Sequence, residues 1–494
     1  MSDQPVPAEA RQSETQGLVL RNTLLLVVAQ IIGTPLSVVV NAVMARRLGP
    51  EEFGYIYLAG TLAAFGFIVV DWGQGATLPM MVSRDRKRAG ELLGSGLAWR
   101  ALAMVLVYPV LAGACFALGY TKELQVALAL VFVSSIILSV TAAGSDTVLG
   151  FERTDVRAYA LVGQQLVMAL VVIPTLLLGG RLRATLAAQV VGAAITCVLV
   201  WRAVLGTNFG RLSFRRETAR AQLSGGVPFM ALGLVIALQP NVDALLLAKL
   251  ATPEAMGWHA AARKLVGVLV FPGVALTNAL YPTVCRLFTE DIDAYRRSVG
   301  STLRTATVVV VPVALGAALY ADVGILIFSK ETFAPAEDNL RVLSLFIILL
   351  YFSMTLGVSL AAAGKQRAWA ITQFGCVAVS AIVDPVLIPW FQKRVGNGSL
   401  GVCVSTVLSE VLMVVVGLRL SVRGIFNRDV VRGILLALVA GGAMAGVARL
   451  LSSITPFVAG PIALAVYFAC LWLTGGIDKE QLDAIRAAIA RKAR

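Results

Sequence analysis

LGPEEFGYIYL at residues 48–58 recurs in altered form 203 positions later as ATPEAMGWHAA at residues 251–261. The two stretches align without a gap, and at the same offset Pro79 falls on Pro282. Each stretch lies in a short turn between long apolar runs and holds a proline, a glutamate, a glycine and an aromatic residue at matching positions. The repeat predicts two copies of one bundle, an arrangement typical of membrane transporters.

The composition is that of a membrane protein. Of 494 residues, 58% are hydrophobic and 14% are charged, and the mean hydropathy is +0.82. Soluble domains carry about 25% charged residues. The net charge of +14 does not predict nucleic-acid binding, because Lys and Arg in a membrane protein mark its cytoplasmic face. The polar residues 1–17 precede an apolar run that is too long for a cleavable signal.

Fourteen apolar runs are long enough to cross a bilayer, which takes about 20 residues. Both termini and the even-numbered connections hold 29 of the 42 Lys and Arg residues, whereas the odd-numbered connections hold 11. The positive-inside rule therefore puts both termini in the cytoplasm. The predicted fold class is an all-α integral membrane protein with about 14 transmembrane helices, arranged as two six-helix lobes and two C-terminal helices.

The domain organisation follows from a second match within the repeat. Span four ends at GFER, residues 150–153, and span ten ends at GKQR, residues 364–367, so each copy has six spans. The predicted segments are a polar tail 1–17, an N-lobe 18–205, a cytoplasmic linker 206–222, a C-lobe 223–420, two additional spans 421–474 and a basic tail 475–494. The linker is predicted either to lie on the inner leaflet as an amphipathic segment or only to hold the topology through its arginines.

Residues 48–84 resemble the opening helices of the Wzx-type polysaccharide flippases, members of the multidrug/oligosaccharidyl-lipid/polysaccharide (MOP) exporter superfamily. The shared features are the LG-x-x-x-[FY]-G turn, the D-x-G of span two and the basic loop after it. The resemblance implies two six-helix lobes around a central cavity. It also implies that polyprenyl-diphosphate-linked oligosaccharides are flipped across the bacterial inner membrane by alternating access. Implied partners are this substrate, membrane lipids and, as a further hypothesis, the polymerase and export machinery.

Charged residues inside a span are costly and point to function. Arg263 and Lys264 lie about 10 Å from the periplasmic end of span eight, and Asp243 lies at a matching depth in span seven. The matching depths predict an Asp243–Arg263 ion pair that faces the cavity. Its role is either to hold a phosphate or sugar acid, or only to stabilise the lobe. Arg263 also shares a predicted helical stripe with Asn278.

Two acids are candidates for ion coupling. Glu410, near the middle of span twelve, is either a proton carrier or a neutral acid bonded to a neighbouring helix. For Asp71 in span two, a structural contact between helices is the favoured role. Asp146 and Arg100 lie near predicted span ends, where snorkelling explains them.

Pro35 and Pro240 interrupt spans one and seven, which correspond in the two copies. Paired interruptions point to a transport pathway, so both spans are predicted to line the cavity. The amides of these spans are candidate substrate contacts: Gln30, Asn41, Gln239 and Asn241. Hydrogen bonds between helices fit each amide equally well.

The favoured function is a lipid-linked oligosaccharide flippase. The alternative is a cation-coupled multidrug or small-molecule antiporter of the same superfamily, which needs an acidic or aromatic cavity, whereas Arg263 and Lys264 favour an anionic substrate. The odd-numbered connections are too short for a reactive periplasmic loop, so no enzyme is predicted. A single histidine, His259, and six scattered cysteines predict neither a metal site nor a cofactor.

Overall fold

The protein is described by a computed structural model over residues 8–207, 209–329 and 331–476, without the side chains of residues 8–24, 26 and 27. Within these ranges there is no strand, which confirms the predicted all-α class. The helices are α1 (Ala8–Asp71), α2 (Gln74–Arg84), α3 (Ala89–Ala117), α4 (Lys122–Gly150), α5 (Thr154–Leu177), α6 (Leu182–Leu205), α7 (Arg216–Leu250), α8 (Pro253–Leu269), α9 (Phe271–Glu290), α10 (Ile292–Leu319), α11 (Ala321–Leu326), α12 (Ala336–Ala362), α13 (Gln366–Val395), α14 (Ser399–Leu420), α15 (Arg428–Leu450) and α16 (Pro456–Leu473).

Twelve helical segments of the described chain are long and apolar enough to cross a membrane, or thirteen if the bent pair α8–α9 is one span. One of the twelve, Val28–Arg84, has 57 residues. A helix of that length measures about 85 Å, against about 30 Å of hydrocarbon. The segment is broken at Gly49, where φ is 79°, so it is too long and too bent for one crossing. The total of fourteen and the sidedness of the termini stay predictions.

The chain divides into two compact units, Met1–Lys249 (unit 1) and Leu250–Arg494 (unit 2). Helix α7 bonds to the rest of unit 1 at both of its ends. Near its start, Gln222 Nε2 donates to Leu92 O at 2.9 Å, and near its end Tyr120 OH donates to Leu245 O at 3.1 Å. The repeat aligns α7 with the first helix of the second copy instead, so the lobe boundaries read from the sequence stay a prediction.

Each repeated turn places a proline at the start of a helical segment. In unit 1 the break at Gly49 is followed by Pro50, and in unit 2 the extended Thr252 precedes a helix that starts at Pro253. Proline suits a first helical turn because the N–H it lacks has no partner there. The aromatic residues at matching positions bond differently: Tyr55 OH donates to Glu51 Oε1 at 3.4 Å, and Trp258 Nε1 donates to Thr332 O at 2.9 Å.

The helix after each repeated turn is broken again. In unit 1 the break lies between α1 and α2, where Trp72 and Gly73 have φ values of 50° and 75°. In unit 2 the bend of 42° lies between α8 and α9, where Pro272 occupies the first turn of α9. Spans two and eight are therefore broken, whereas α1 and α7 continue as helix through Pro35 and Pro240.

The predicted linker has two parts. Residues 209–215 are not helical, and α7 starts at Arg216. The first part runs against α3 at Gly90 and Gly94, where an added Cβ would lie 2.4 Å from a linker carbonyl oxygen in each case. Phe209 is buried in the core of unit 1. This part of the linker is thus an extended strap that packs on α3, and because Leu212 and Phe214 are exposed its contact with the inner leaflet stays a prediction.

Candidate functional site

The amides of spans one and seven bond within their own helices. Asn41 Nδ2 donates to Ser37 O at 2.7 Å, and Asn241 Nδ2 donates to Ala237 O at 2.8 Å, four residues back in both cases. Gln30 Nε2 donates to Thr34 Oγ1 at 3.1 Å. Gln239 is half-buried. Among these side chains, Asn241 keeps a buried Oδ1 that accepts no hydrogen bond from the described residues.

The predicted stripe on span eight is interrupted. Arg263 lies in α8 and Asn278 lies in α9, on either side of the 42° bend. Pro272 has no N–H to bond the preceding turn, so the regular helical spacing cannot be carried across it. Asn278 is exposed, but its expected alignment with Arg263 on one stripe is wrong.

Arg263 lies in unit 2 against an aromatic ring. Its Cζ is 5.6 Å from the centre of the Phe346 ring of α12, a cation–π contact. Within the described part of unit 2, no residue accepts a hydrogen bond from the guanidinium. The Phe346 ring thus supports the planar guanidinium of Arg263, and the N–H groups of the guanidinium stay available to a ligand.

Glu410 of α14 lies close to Arg263. Its carboxylate accepts a short hydrogen bond from Ser353 of α12, and it is within electrostatic reach of Arg263. Arg263 is ten residues from the start of α8, and Glu410 is eleven from the start of α14. These positions are about 15–16 Å along each helix, so the two charges meet near mid-bilayer depth. The structure brings together two candidates that the sequence treats separately.

The end of this cluster that lies nearer the start of α8 is buried. His259, one turn before Arg263 on the same face of α8, is buried, and its Nδ1 lies 3.8 Å from Cys403 Sγ of α14. Cys403 is two turns before Glu410. The cluster therefore has buried residues at one end and the half-buried Arg263 and Glu410 at the other. A charged ligand could reach these two side chains.

The other charged candidates lie elsewhere. Lys264 is exposed on the neighbouring face of α8, as expected for adjacent helical residues. Asp243 is buried in α7 of unit 1. Because Asp243 and Arg263 belong to different units, their ion pair stays a prediction.

A second charged cluster lies in unit 1 around Arg100. The Arg100 side chain is 1% exposed, and each of its nitrogens has a partner. Nε donates to Gln74 Oε1 at 3.0 Å, and Nη1 donates to the carbonyl and hydroxyl oxygens of Ser139 at 2.6 and 3.2 Å. Nη2 donates to Asp71 Oδ1 at 2.6 Å. Snorkelling is therefore the wrong explanation for Arg100, and Asp71 is the contact between helices that the sequence favours.

Asp146 extends this cluster to α5. Its Oδ2 lies 3.9 Å from Arg100 Nη2, and its Oδ1 accepts from Arg157 Nη1 at 2.8 Å. Asp146 is buried too, so snorkelling is wrong for it as well. Two aspartates and two arginines balance one another and link α1, α3, α4 and α5, and Gln74 adds α2. A balanced buried network of this kind fixes helices in place.

Several of these residues are not identified by the sequence alone. Gln74 and Ser353 carry no charge, and only their partners reveal them. Asp384 of α13 is fully buried in unit 2, and an acid inside an apolar run is the signal that could have found it. In the described residues, no group of three or more His, Cys, Asp or Glu side chains is arranged to hold a metal ion.

Several solved transporters have a similar fold. The lipid II flippase MurJ, in an inward closed conformation, matches with a TM-score of 0.72 at 13% identity over 93% of this chain and 99% of its own. An inward-facing multidrug resistance MATE transporter matches with 0.64 at 15% identity, over 80% and 98%. A MOP superfamily transporter from Pyrococcus furiosus matches with 0.55 at 16% identity, over 82% and 95%. The fold is therefore that of the MOP-superfamily transporters.

Residues 43–337, more than half of the chain, match the family model of the polysaccharide biosynthesis proteins. The chain belongs to this family, which confirms the resemblance carried by residues 48–84. It is a multi-pass protein of the bacterial inner membrane with the fold of these transporters. No curated protein sequence matches the chain.

Proposed function

We propose that this transporter flips polyprenyl-diphosphate-linked oligosaccharides from the cytoplasmic to the periplasmic leaflet, by alternating access of its two lobes. The observation that carries the proposal is Arg263, whose guanidinium is half-buried near mid-bilayer depth and rests on Phe346 with its N–H groups available in unit 2. The family and the fold of the lipid II flippase MurJ support a lipid-linked substrate.

An arginine in this setting suits a diphosphate. The guanidinium offers a planar fork of N–H donors that matches two phosphate oxygens at once, and it stays charged at every physiological pH. Its attraction for a phosphate is stronger at this depth than in water because the surroundings are less polarisable. We assign Arg263 the role of holding the diphosphate during the crossing.

Glu410 is assigned the role of a counter-charge. Its carboxylate lies within electrostatic reach of Arg263, and a nearby opposite charge makes a cation inside the membrane less costly. A phosphate that approaches Arg263 competes with Glu410, so the acid weakens binding and favours release on the far side. Lys264, Asn278, Asn241 and the other span-one and span-seven amides are proposed contacts of the sugars.

The test is transport by an Arg263→Ala variant. The chain is reconstituted in liposomes with a fluorescent polyprenyl-diphosphate-linked sugar, and the outer-leaflet fraction is followed with a reagent that does not cross the membrane. Removal of a charge-assisted contact should lower the transport rate about 10- to 100-fold. Arg263→Lys should retain part of the rate, because it keeps the charge and loses the planar fork.

Arg341→Ala is the matched control. Arg341 is also an arginine of unit 2, but it is exposed and already paired with Glu337 and Asp338 at 3.1 and 2.6 Å, so its loss should leave transport unchanged. A normal rate in Arg263→Ala, with correct insertion, would remove Arg263 from the site.

Glu410 also supports a second candidate function. A half-buried acid inside a membrane helix is a group that a transported cation could pair with. If the chain is a cation-coupled antiporter, its presence should protect cells from cationic drugs, and Glu410→Gln should abolish that protection. Unchanged drug sensitivity on deletion, together with loss of surface polysaccharide, would leave the flippase as the function.

A further inference from the structure

Helix α15 of unit 2 has two unlike faces. Its inner face is made of small residues such as Ala437 and Ala440, which pack with Met444 against Val311 of α10 and Tyr467 of α16. Its outer face carries larger apolar side chains, among which Leu435 is 56% and Val439 is 61% exposed. The inner face fully accounts for the packing of α15 in the unit, so the outer face serves something else.

The outer face carries a groove of about 520 Å³ that starts at two arginines. Arg428 and Arg432 stand one turn apart at the start of α15, and Leu435 and Val439 continue the same stripe. Phe426 and Val431 also line the groove. A basic end followed by an apolar wall has the polarity of a phospholipid, with its headgroup at one end and its acyl chains along the other.

The charge at the basic end has no ion-pair partner among the residues that the structure describes. Arg296, Arg297 and Arg286 of unit 2 are each paired with a carboxylate. Arg428 and Arg432 form no ion pair with any residue that the structure describes, although Asp429 lies exposed beside them. Arginine is unfavourable in the first turn of a helix, which already carries a partial positive charge. Two unpaired arginines there create a site that is complementary to an anion.

The length of the stripe fits one leaflet. From Arg428 to Val439 there are eleven residues, about 16 Å of helix. This is about half of the 30 Å of hydrocarbon in a bilayer. Beyond it the stripe passes through Gly442 and Gly446, where an added Cβ would meet nothing within 4 Å, before it reaches the exposed Leu450. The excess of Lys and Arg around residues 419–432 marks this end as cytoplasmic.

We propose that this groove binds an anionic phospholipid of the cytoplasmic leaflet, with its headgroup phosphate on Arg428 and Arg432 and an acyl chain along Val431, Leu435 and Val439. Basic pockets on the cytoplasmic side of membrane helices are known to hold acidic headgroups. The groove has the volume of a small-molecule site. The inference is independent of the proposed transport function and of the Arg263 cluster.

The experiment uses the full-length protein in detergent with added phosphatidylglycerol or, separately, phosphatidylcholine of the same acyl chains. Native mass spectrometry counts the bound lipids, and the unfolding midpoint reports the stabilisation that binding produces. Phosphatidylglycerol should bind and raise the midpoint, and phosphatidylcholine should not. The variant R428Q/R432Q should bind phosphatidylglycerol about 30-fold more weakly, since each arginine contributes to headgroup attraction.

Two further variants separate charge from general damage. R428K/R432K keeps both charges and should retain binding. Arg367→Gln removes an exposed arginine from the start of α13, away from the groove, and should change nothing. If R428Q/R432Q is not recovered in folded form, Arg432→Gln alone carries the test, because it leaves the first residue of the helix intact.

Three outcomes would overturn the proposal. The first is equal binding of phosphatidylglycerol to the chain and to R428Q/R432Q. The second is equal binding of the two phospholipids. The third is selective, arginine-dependent binding of undecaprenyl phosphate in place of phosphatidylglycerol, which would assign the groove to the polyprenyl tail of a substrate.

Discussion

Arg100 of unit 1 and Arg263 of unit 2 stand at comparable places in apolar helices, eleven and ten residues from the start of α3 and α8. Every nitrogen of Arg100 is bonded, to Asp71, Gln74 and Ser139. Arg263 instead rests on the Phe346 ring and is half-buried. Two arginines that look alike in sequence therefore have opposite relations to their surroundings.

The difference between Arg100 and Arg263 shows how a charge inside the membrane should be interpreted. A saturated arginine joins helices, because each bond that it makes links a different element of the unit. An arginine with available donors can exchange partners, which is what binding and release require. Burial and saturation of the donors, rather than charge alone, distinguish the structural group from the ligand-binding one.

The largest expected effect is that of Arg100→Ala. It leaves Asp71 and Asp146 together without their shared cation, and an added Cβ on Gly75 would lie within 3.7 Å of both carboxylates. Breaking a buried ion pair by removal of one partner costs about 3–5 kcal/mol. We expect a strong fall in the unfolding midpoint and in the yield of monodisperse protein. Arg263→Ala should leave both unchanged, and equal losses in the two variants would break the comparison.

Gly226→Ala tests the rigidity of unit 1 at the break between α1 and α2. An added Cβ would lie 2.0 Å from the carbonyl oxygen of Trp72, a contact that backbone atoms can relieve only by moving. We expect a destabilisation of about 1–3 kcal/mol, measured by thermal unfolding. Gly225→Ala is the control, because its Cβ would meet only Thr77 Cγ2 at 3.9 Å. A normal midpoint for Gly226→Ala would show that this contact is not close in solution.

Glu410→Gln should alter binding and leave stability intact. The amide keeps the shape of the acid and can still accept the hydrogen bond from Ser353, but it no longer balances Arg263. We expect a polyprenyl diphosphate to bind about tenfold more tightly, which corresponds to about 1.4 kcal/mol, and to be released more slowly. Fluorescence titration measures the affinity, with Glu337→Gln as the control. Weaker binding would show that Glu410 does not oppose the substrate.

The fold could be predicted from the sequence because the features that determine it are local. Apolar runs of helical length predict membrane helices, and the turn at 48–54 predicts the break at Gly49 and its repeat before Pro253. The bend at Pro272 escapes the same reasoning. The hydropathy of the sequence indicates one apolar run over residues 256–282, but it gives no information on the backbone N–H that Pro272 lacks.

The site was accessible only in part. Arg263 and Glu410 follow from charge inside apolar runs, and their counts from the ends of α8 and α14 would have put them at one depth. The partners of Arg100 come from α1, α2 and α4, and no spacing along the chain relates them. Arg100 is predicted to snorkel because it lies near the start of its apolar run, whereas the structure buries it among partners from other helices.

The smallest expected effect concerns Asp85 and Asp291. Asp85 follows α2 and Asp291 follows α9, so each comes directly after the broken span of its unit. Asp291 accepts from the backbone N–H groups of Asp293 and Ala294 at 2.9 Å each, and the bond from Ala294 is the main cause of a pKa below the usual range. A carboxyl whose pKa is lowered by folding stabilises the protein above its unfolded pKa of about 3.9. That contribution is lost as the pH falls through the folded pKa.

In Asp291→Asn the cap is retained, since asparagine is also a good N-cap residue, but it no longer titrates. We therefore expect unfolding midpoints close to those of the unaltered chain at pH 6 and a shallower fall below about pH 4. Asp85 accepts only one backbone bond through its side chain, from Lys87 N at 3.2 Å, so the cap in unit 1 is less extensive than that of Asp291. An unchanged acid-side slope in Asp291→Asn would mean that the bonds from Asp293 and Ala294 do not lower the pKa of Asp291 in the folded protein.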